Sequence, residues 1–233
     1  MPAEFEATAE DAGYACIWTA EAYGSDSIST AAWMLAQTTR IKVGTGILQM
    51  PARTPALAAM TAMTLHDLSG GRFILGVGPS GPQVIEGWHG EAYGRPLTRT
   101  REYIEIIRKI EAREGPLTHD GFHYQIPKTG DGTTGLGKPL KGILHSPNPI
   151  KIVTGTIAPA GVRVSGQSGR ACLERSCLAR PEACCSACLR AERRGIGARR
   201  VHLAKTSSSL HRAWVHPWFQ QLHTPLVVTK GAV

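Results

Sequence analysis

From Ala3 to Val164, short apolar runs alternate with longer stretches of helical period, and this alternation constrains the fold more than any other feature of the sequence. Strands separated by whole helices pair in parallel, because a parallel connection needs a crossover of a dozen residues or so, and the helices then cover the sheet. A helix is expected over Ala3 to Ala12, ending at Gly13, with a strand from Tyr14 to Thr19 behind it. Ser27 and Ser29 are the candidate N-caps of a helix through Gln37. Ile41 to Ile47 is the next strand, with Val43 and Ile47 flanking a Gly-Thr-Gly step. A helix from Thr54 to Leu68 stops at Gly70-Gly71, and Arg72 to Val77 is a strand with Phe73, Ile74 and Leu75 at its centre.

A polar loop follows, and then Thr98 to Ala112 places Tyr103, Ile104, Ile106, Ile107 and Ile110 on one face of an amphipathic helix. Thr118 to Ile126 alternates around Asp120-Gly121, a hairpin signal, and Lys128 to Lys138 is a Gly- and Thr-rich irregular loop. Pro149 to Thr154 is a further strand, and Ile157 to Val164 opens a further helix. The pattern is that of an α/β protein.

Composition narrows the class. With 42% hydrophobic and 19% charged residues in 233, the chain can bury a core and is not globally disordered. No apolar run approaches the roughly 18 residues of a membrane span. The opening Met1 to Asp11 is acidic and has no basic region ahead of an apolar one, so a cytoplasmic location is expected. The net charge of +8 would point to a polyanion partner if it were spread over the chain. It is not: residues 1–165 carry 15 basic and 15 acidic side chains, whereas residues 166–233 carry 11 basic and 3 acidic. That tail holds nine Arg, five of the six Cys, and no Asp, Asn, Tyr or Met.

The residues that carry chemistry sit where the strands end. Gly76-Val77-Gly78-Pro79-Ser80-Gly81 has the G-x-G-x-x-G spacing of a dinucleotide loop directly after a strand. Pro79 removes a backbone donor from it, and the acidic partner expected about 20 residues on falls inside a helix near Glu102, which argues against a Rossmann site. A nucleophile elbow around Ser80 fails because Pro82 stands in place of its last glycine. His66, His89, His119, His123 and His145 lack metal-ligand spacing and read as core or surface histidines.

Three blocks, in order, carry a resemblance: Trp18-Thr19-Ala20-Glu21-Ala22-Tyr23-Gly24, Thr39 to Ile47, and Leu68 to Gly78. Together they resemble the bacterial luciferase-like superfamily and, within it, the coenzyme F420-dependent oxidoreductases. The run Asp67 to Gly78 is the most specific of the three. The resemblance covers residues 1–165 and implies a (β/α)8 barrel of TIM type. It also implies a deazaflavin (F420) or FMN ring at the carboxyl ends of the strands, and hydride transfer or flavin-supported oxygenation of a small organic substrate. A homodimer of the family type belongs to the same set of expectations, with neither nucleic acid nor membrane as partner.

Barrel enzymes build their sites from the loops after the strands, so both lines of reasoning point to the same end of the sheet. Glu21 has two readings, a carboxylate close to the ring or a solvated loop residue. Gly46-Ile47 is where the resemblance implies a cis, non-proline bulge behind the ring; the alternative is a glycine that simply ends a strand. Gly78 and Ser80, with Gly81, offer a small-residue loop for the hydroxylated tail of the cofactor, or a tight turn without a ligand. Gly155 and Thr156 open a helix whose free N–H groups favour a phosphate, the role the resemblance implies, or form an ordinary helix start. No residue is identified as the catalytic acid or base.

The sequence also departs from the resemblance. A strand is implied ahead of the first helix, and further strands after Val164, so the barrel is expected to be incomplete, with residues 1–165 as its domain. Residues 166–233 admit three readings: a thiolate zinc site from Cys172, Cys177, Cys184, Cys185 and Cys188, an Arg-rich nucleic-acid arm over Arg190 to Arg200, and an altered reading frame. The cysteine spacing is irregular and no aromatic residue interleaves with the arginines, so an aberrant tail is expected that carries no metal and does not complete the barrel; only Leu226 to Val228 approaches a strand pattern. The alternative to an enzyme is a non-catalytic remnant of one.

Overall fold

The computed structural model describes residues 4–146, 148–156, 161, 171–173 and 226–229. Its elements are α1 (Glu4–Asp11), β1 (Cys16–Thr19), α2 (Ser27–Gln37), β2 (Lys42–Thr45), β3 (Leu48–Gln49), a 3-10 turn (Met50–Ala52), α3 (Pro55–Leu68), β4 (Phe73–Gly78), α4 (Pro82–Gly87), α5 (Pro96–Ala112), β5 (His119–Asp120), β6 (Gln125–Ile126), β7 (Lys151–Gly155), β8 (Ala171–Leu173) and β9 (Leu226–Thr229). Seven strands form one sheet in the order β8-β7-β4-β2-β1-β9, with β3 also paired to β4. All of these pairs are parallel except β1 with β9.

Alternation along the strands sorts side chains to two faces. Ile17, Val43, Phe73, Leu75, Val77 and Ile152 point to the helix layer, where they join Met34 and Leu35 of α2, Ala58, Ala59, Ala62 and Met63 of α3, and Tyr103, Ile104 and Ile107 of α5 in one core. Each of these larger apolar side chains contributes about 1.5–3 kcal/mol by leaving water. The opposite, barrel-inner face carries Trp18, Gly44, Ile74, Gly76 and Val153. A Cβ on Gly44 would meet the Trp18 ring at 2.5 Å, so the indole uses the space this glycine leaves.

Local chemistry sets the helix ends. Asp26 is the N-cap of α2, accepting from the Ser29 N–H at 2.6 Å. This corrects the assignment to Ser27 or Ser29: a carboxylate accepts more strongly than a hydroxyl and favours the positive end of the helix. Thr54 caps α3 through the Leu57 N–H, with Pro55 in its first turn. The helix stops where Gly70 and Gly71 take φ of 63° and 87°, the left-handed region that glycine adopts freely. Arg72 then donates to the carbonyls of Leu35, Ile41 and Ser69 and to Thr38 Oγ1, binding the ends of α2 and α3 to the entry of β2.

Three further differences from the sequence expectations have plain causes. The strand expected over Ile41–Ile47 stops at Thr45, where the Gly46 N–H donates to the Thr19 carbonyl at 2.7 Å, and pairing resumes in β3 beside Val77 and Gly78. The stretch expected to be a polar loop contains α4, six residues whose buried side chain is Ile85, too short for a period to show. The hairpin turns over Gly121–Tyr124 rather than tightly at Asp120-Gly121, because the Glu102 carboxylate of α5 accepts the N–H groups of Phe122, His123 and Tyr124 at 2.8, 2.9 and 3.2 Å.

Among the described residues, two short tail segments pair with the sheet without completing a barrel, one of them at Leu226 to Val228, where the sequence comes closest to a strand pattern. Ala171–Leu173 pairs in parallel with β7, and Leu226–Thr229 pairs antiparallel with β1. A free sheet edge pairs with any short extended segment, and Val227, Val228 and Thr229 are β-branched. The two lie at opposite ends of the strand order, so among the described residues the sheet stays open. The helix expected from Ile157, the arm over Arg190 to Arg200, and Cys177, Cys184, Cys185 and Cys188 lie outside the described residues. No helix among the described residues is long and apolar enough to cross a membrane.

Candidate active site at the carboxyl ends of the strands

Because β1, β2, β4 and β7 are parallel, their carboxyl ends share one edge of the sheet. Glu21 follows β1, Gly46 and Ile47 follow β2, Gly78 ends β4 with Ser80 beyond it, and Gly155 ends β7 with Thr156 next. Topology alone therefore brings all seven candidate positions to one end.

Three of them are in contact. A Cβ built on Gly78 would lie 2.4 Å from Ile47 Cδ1, and one built on Gly155 would lie 2.5 Å from Ile47 Cγ2. The Ile47 side chain therefore lies across two strand ends that carry no side chains, forming a flat apolar floor. The cis Gly46–Ile47 bond is the geometry expected at that point.

Glu21 joins this floor through β3. One of its oxygens accepts the Gln49 N–H at 2.9 Å; the other faces the Ser27 N–H at 3.4 Å and Arg53 Nη2 at 3.3 Å. With its side chain 10% exposed and engaged by three donors, it is not a solvated loop carboxylate. Arg53 also pairs with Asp26. Burial works to raise the Asp26 pKa, but hydrogen bonds from Ser29 and the nearby Arg53 guanidinium hold it below the usual carboxylate range.

Ser80 and Thr156 stand at the rim. Ser80 has φ of 60°, and its carbonyl accepts from the Tyr93 hydroxyl at 3.2 Å. Burial pushes the Tyr93 hydroxyl pKa up, with Arg99 acting against it. Thr156 packs against Gly161, where a Cβ would lie 1.8 Å from its Oγ1.

Sequence reasoning missed the residues that build the site's frame. Gln49 is fully buried; its amide donates to the carbonyls of Glu21 and Ala22 at 2.9 and 3.0 Å, and its oxygen meets His89 Nε2 at 2.7 Å. The signal in the sequence is an amide side chain two residues beyond the apolar run that ends at Ile47. Trp18 Nε1 is buried on the inner face without a partner among the described residues, a free donor in the interior. No cluster of three His, Cys, Asp or Glu side chains among the described residues could hold a metal ion.

The fold and this strand-end arrangement define a β/α-barrel protein, and sequence comparison gives its family. The profile described as Luciferase-like monooxygenase matches residues 3–176, and the chain belongs to that family. It is 52% identical over 166 residues to a Mycobacterium tuberculosis protein whose name places it among the coenzyme F420-dependent oxidoreductases, covering 71% of this chain and 48% of that one. It is 37% identical over 120 residues to a 5,10-methylenetetrahydromethanopterin reductase of Methanolobus tindarius, covering 51% and 36%. The chain thus spans half or less of the length of these relatives. Among solved structures, the coenzyme F420-dependent tetrahydromethanopterin reductase of Methanopyrus kandleri superposes with a TM-score of 0.57 at 25% identity, covering 74% of this chain and 51% of that one. An F420-dependent secondary alcohol dehydrogenase gives 0.62 at 18% identity over 74% and 52%, a likeness of fold.

Proposed function

We propose that this protein is an oxidoreductase of the luciferase-like type that uses coenzyme F420, with FMN as the competing cofactor, on a small organic substrate. The observation that supports this most is the floor made by Ile47 over Gly78 and Gly155 at the shared strand ends. A flat tricyclic ring needs an apolar surface without protruding side chains, and the residues present fit that need. The Mycobacterium tuberculosis relative and the Methanopyrus kandleri reductase structure, both named for F420, favour the deazaflavin over FMN.

When bound, such a cofactor supplies hydride exchange with a carbon centre. The chain's own residues bind and orient. Ile47 shields one face of the ring from water, and Gly46 gives the chain room to bulge beneath it. Gly78 and Ser80 would hold the hydroxylated tail of the cofactor, and Gly155 and Thr156 its phosphate. Glu21 acts as a positioning residue: its carboxylate fixes β3, and through β3 the floor, while neutralising Arg53. A cytoplasmic setting and a homodimer of the family type complete the reading.

The test is titration of the purified 233-residue protein with F420 and with FMN, followed by quenching of each cofactor's own fluorescence. Saturable binding of F420, tighter than FMN, is expected, and Gly78→Val should abolish it while keeping the far-UV circular dichroism. Binding of neither cofactor by a folded protein overturns the proposal and favours a non-catalytic member of the family.

A further inference from the structure

Two large aromatic side chains stand exposed at the carboxyl end of the sheet, and both are held in place. Tyr23, just beyond Glu21, is 70% exposed, and Trp88, just after α4, is 66% exposed. Their ring centroids are 6.5 Å apart with planes tilted by 54°. The buried Gln49 side chain joins the loops that carry them. Its amide holds the carbonyls of Glu21 and Ala22 beneath Tyr23, and its oxygen holds His89, next to Trp88. The N–H groups of Trp88 and His89 both return to the Val84 carbonyl. The backbone under each ring is therefore fixed, although the rings themselves face solvent.

We infer that Tyr23 and Trp88 form a substrate platform that selects a planar, unsaturated small molecule over a saturated one of the same skeleton. Exposed aromatic surface is costly to keep in water, and planar aromatic ligands gain from offset or edge-to-face contact with such rings. Holding the platform rigid lowers the entropy lost on binding. The two polar side chains that join the loops beneath it are engaged within the protein: Gln49 by Glu21, Ala22 and His89, and Glu21 by Gln49, Ser27 and Arg53. Recognition there is by flat apolar contact. This inference rests on the reading of the strand ends as a cofactor and substrate site.

The experiment uses the whole chain and two probes, 2-naphthol and decahydro-2-naphthol, which share a carbon skeleton and a hydroxyl but differ in planarity. Kd is measured by calorimetry for wild type, Trp88→Ala, Trp88→Phe and Tyr23→Ala. Wild type should prefer 2-naphthol by about tenfold, equivalent to about 1.4 kcal/mol. Trp88→Ala and Tyr23→Ala should lose most of that preference, and Trp88→Phe should keep it. Both side chains are exposed, so the variants are expected to fold, which circular dichroism checks. Equal affinity for the two probes, no binding of 2-naphthol up to its solubility limit, or unchanged binding by Trp88→Ala overturns the inference. A change of oligomeric state in Trp88→Ala, seen by sedimentation, also overturns it by making the pair a protein contact. Titrating F420 and FMN on the same samples separates the two claims. Probe selectivity without cofactor binding removes the enzyme reading alone; cofactor binding without probe selectivity removes the platform alone.

Discussion

Arg72→Met should weaken the fold more than any other single change to a half-buried side chain in the sheet's first half. The guanidinium donates to Leu35 O at 2.8 Å, Thr38 Oγ1 at 2.9 Å, Ile41 O at 3.0 Å and Ser69 O at 3.0 Å. Charged hydrogen bonds are worth about 1.5–3 kcal/mol each, so a simple sum would reach about 6–12 kcal/mol. That sum is too large for two reasons. Burial disfavours the cation, lowering its pKa although Glu10 acts the other way, and the exposed part of the side chain lets water reach some of the abandoned acceptors. Bonds that share one side chain also do not add. A loss of about 3 kcal/mol is expected for Arg72→Met, and about 1–2 kcal/mol for Arg72→Lys, whose single ammonium cannot span the acceptors. Urea unfolding followed by circular dichroism reads this directly. With m near the upper end of the usual 1–3 kcal/mol/M, the midpoint should fall by about 1 M for Met. A shift below about 0.2 M at unchanged m would refute the reasoning, and the weight assigned to this residue with it.

Gly76→Ala should abolish soluble expression, since its Cβ would lie 1.7 Å from the Thr45 carbonyl oxygen and force β2 away from β4; Gly87→Ala, with nothing within 4 Å, should be neutral or stabilise by a few tenths to about 1 kcal/mol. Glu21→Ala leaves the Gln49 N–H without its acceptor and should cost about 2 kcal/mol, read as a fall in Tm of about 4–8 °C, with Glu21→Gln losing less. Burial works to raise the Glu10 pKa, but the N–H groups of Thr39, Arg40 and Ile41 hold it below the ordinary value. A depressed folded-state pKa means stability that is full above the unfolded value of about 4.3 and lost as pH falls through the folded one. Glu10→Gln should therefore flatten the acid limb of a stability–pH curve and leave its slope near neutrality unchanged.

What could be read in the sequence was whatever depended on local chemistry and period. Thr54-Pro55 starts a helix and Gly70-Gly71 ends one for reasons confined to those residues, and the apolar runs behind them marked β1, β2, β4 and β7. Parallel order follows from the helices between them, and so the shared edge of Glu21, Gly46, Ile47, Gly78, Ser80, Gly155 and Thr156 was accessible in advance. Long-range contacts were not. Gln49 matters because Glu21, Ala22 and His89 surround it, and His89 is 40 positions away along the chain. Glu102 looked like one polar residue on an amphipathic helix, yet it sets the hairpin turn by gathering three N–H groups from residues 20 to 22 positions on. In the tail the apolar run at Leu226 to Val228 marked β9, whereas β8 left no signal, because edge pairing asks only for an extended backbone and leaves no period to read over Ala171–Leu173.

The passage from α5 to β7 is fastened at its root. Arg108 donates to the Ile150 carbonyl at 2.9 Å, the Ile150 N–H donates to Glu111, and Arg113 holds the Gly142 carbonyl. The last turns of α5 thus set where β7 enters the sheet, and the intervening segment does not. Doubling the length of such a crossing adds only about 0.6 kcal/mol of closure entropy. Evolution can therefore lengthen, shorten or replace the exposed stretch from Lys128 to Lys138, while Phe122, His123 and Tyr124 stay to pair Glu102, and a chimera that imports this stretch from a relative should keep its strands in register.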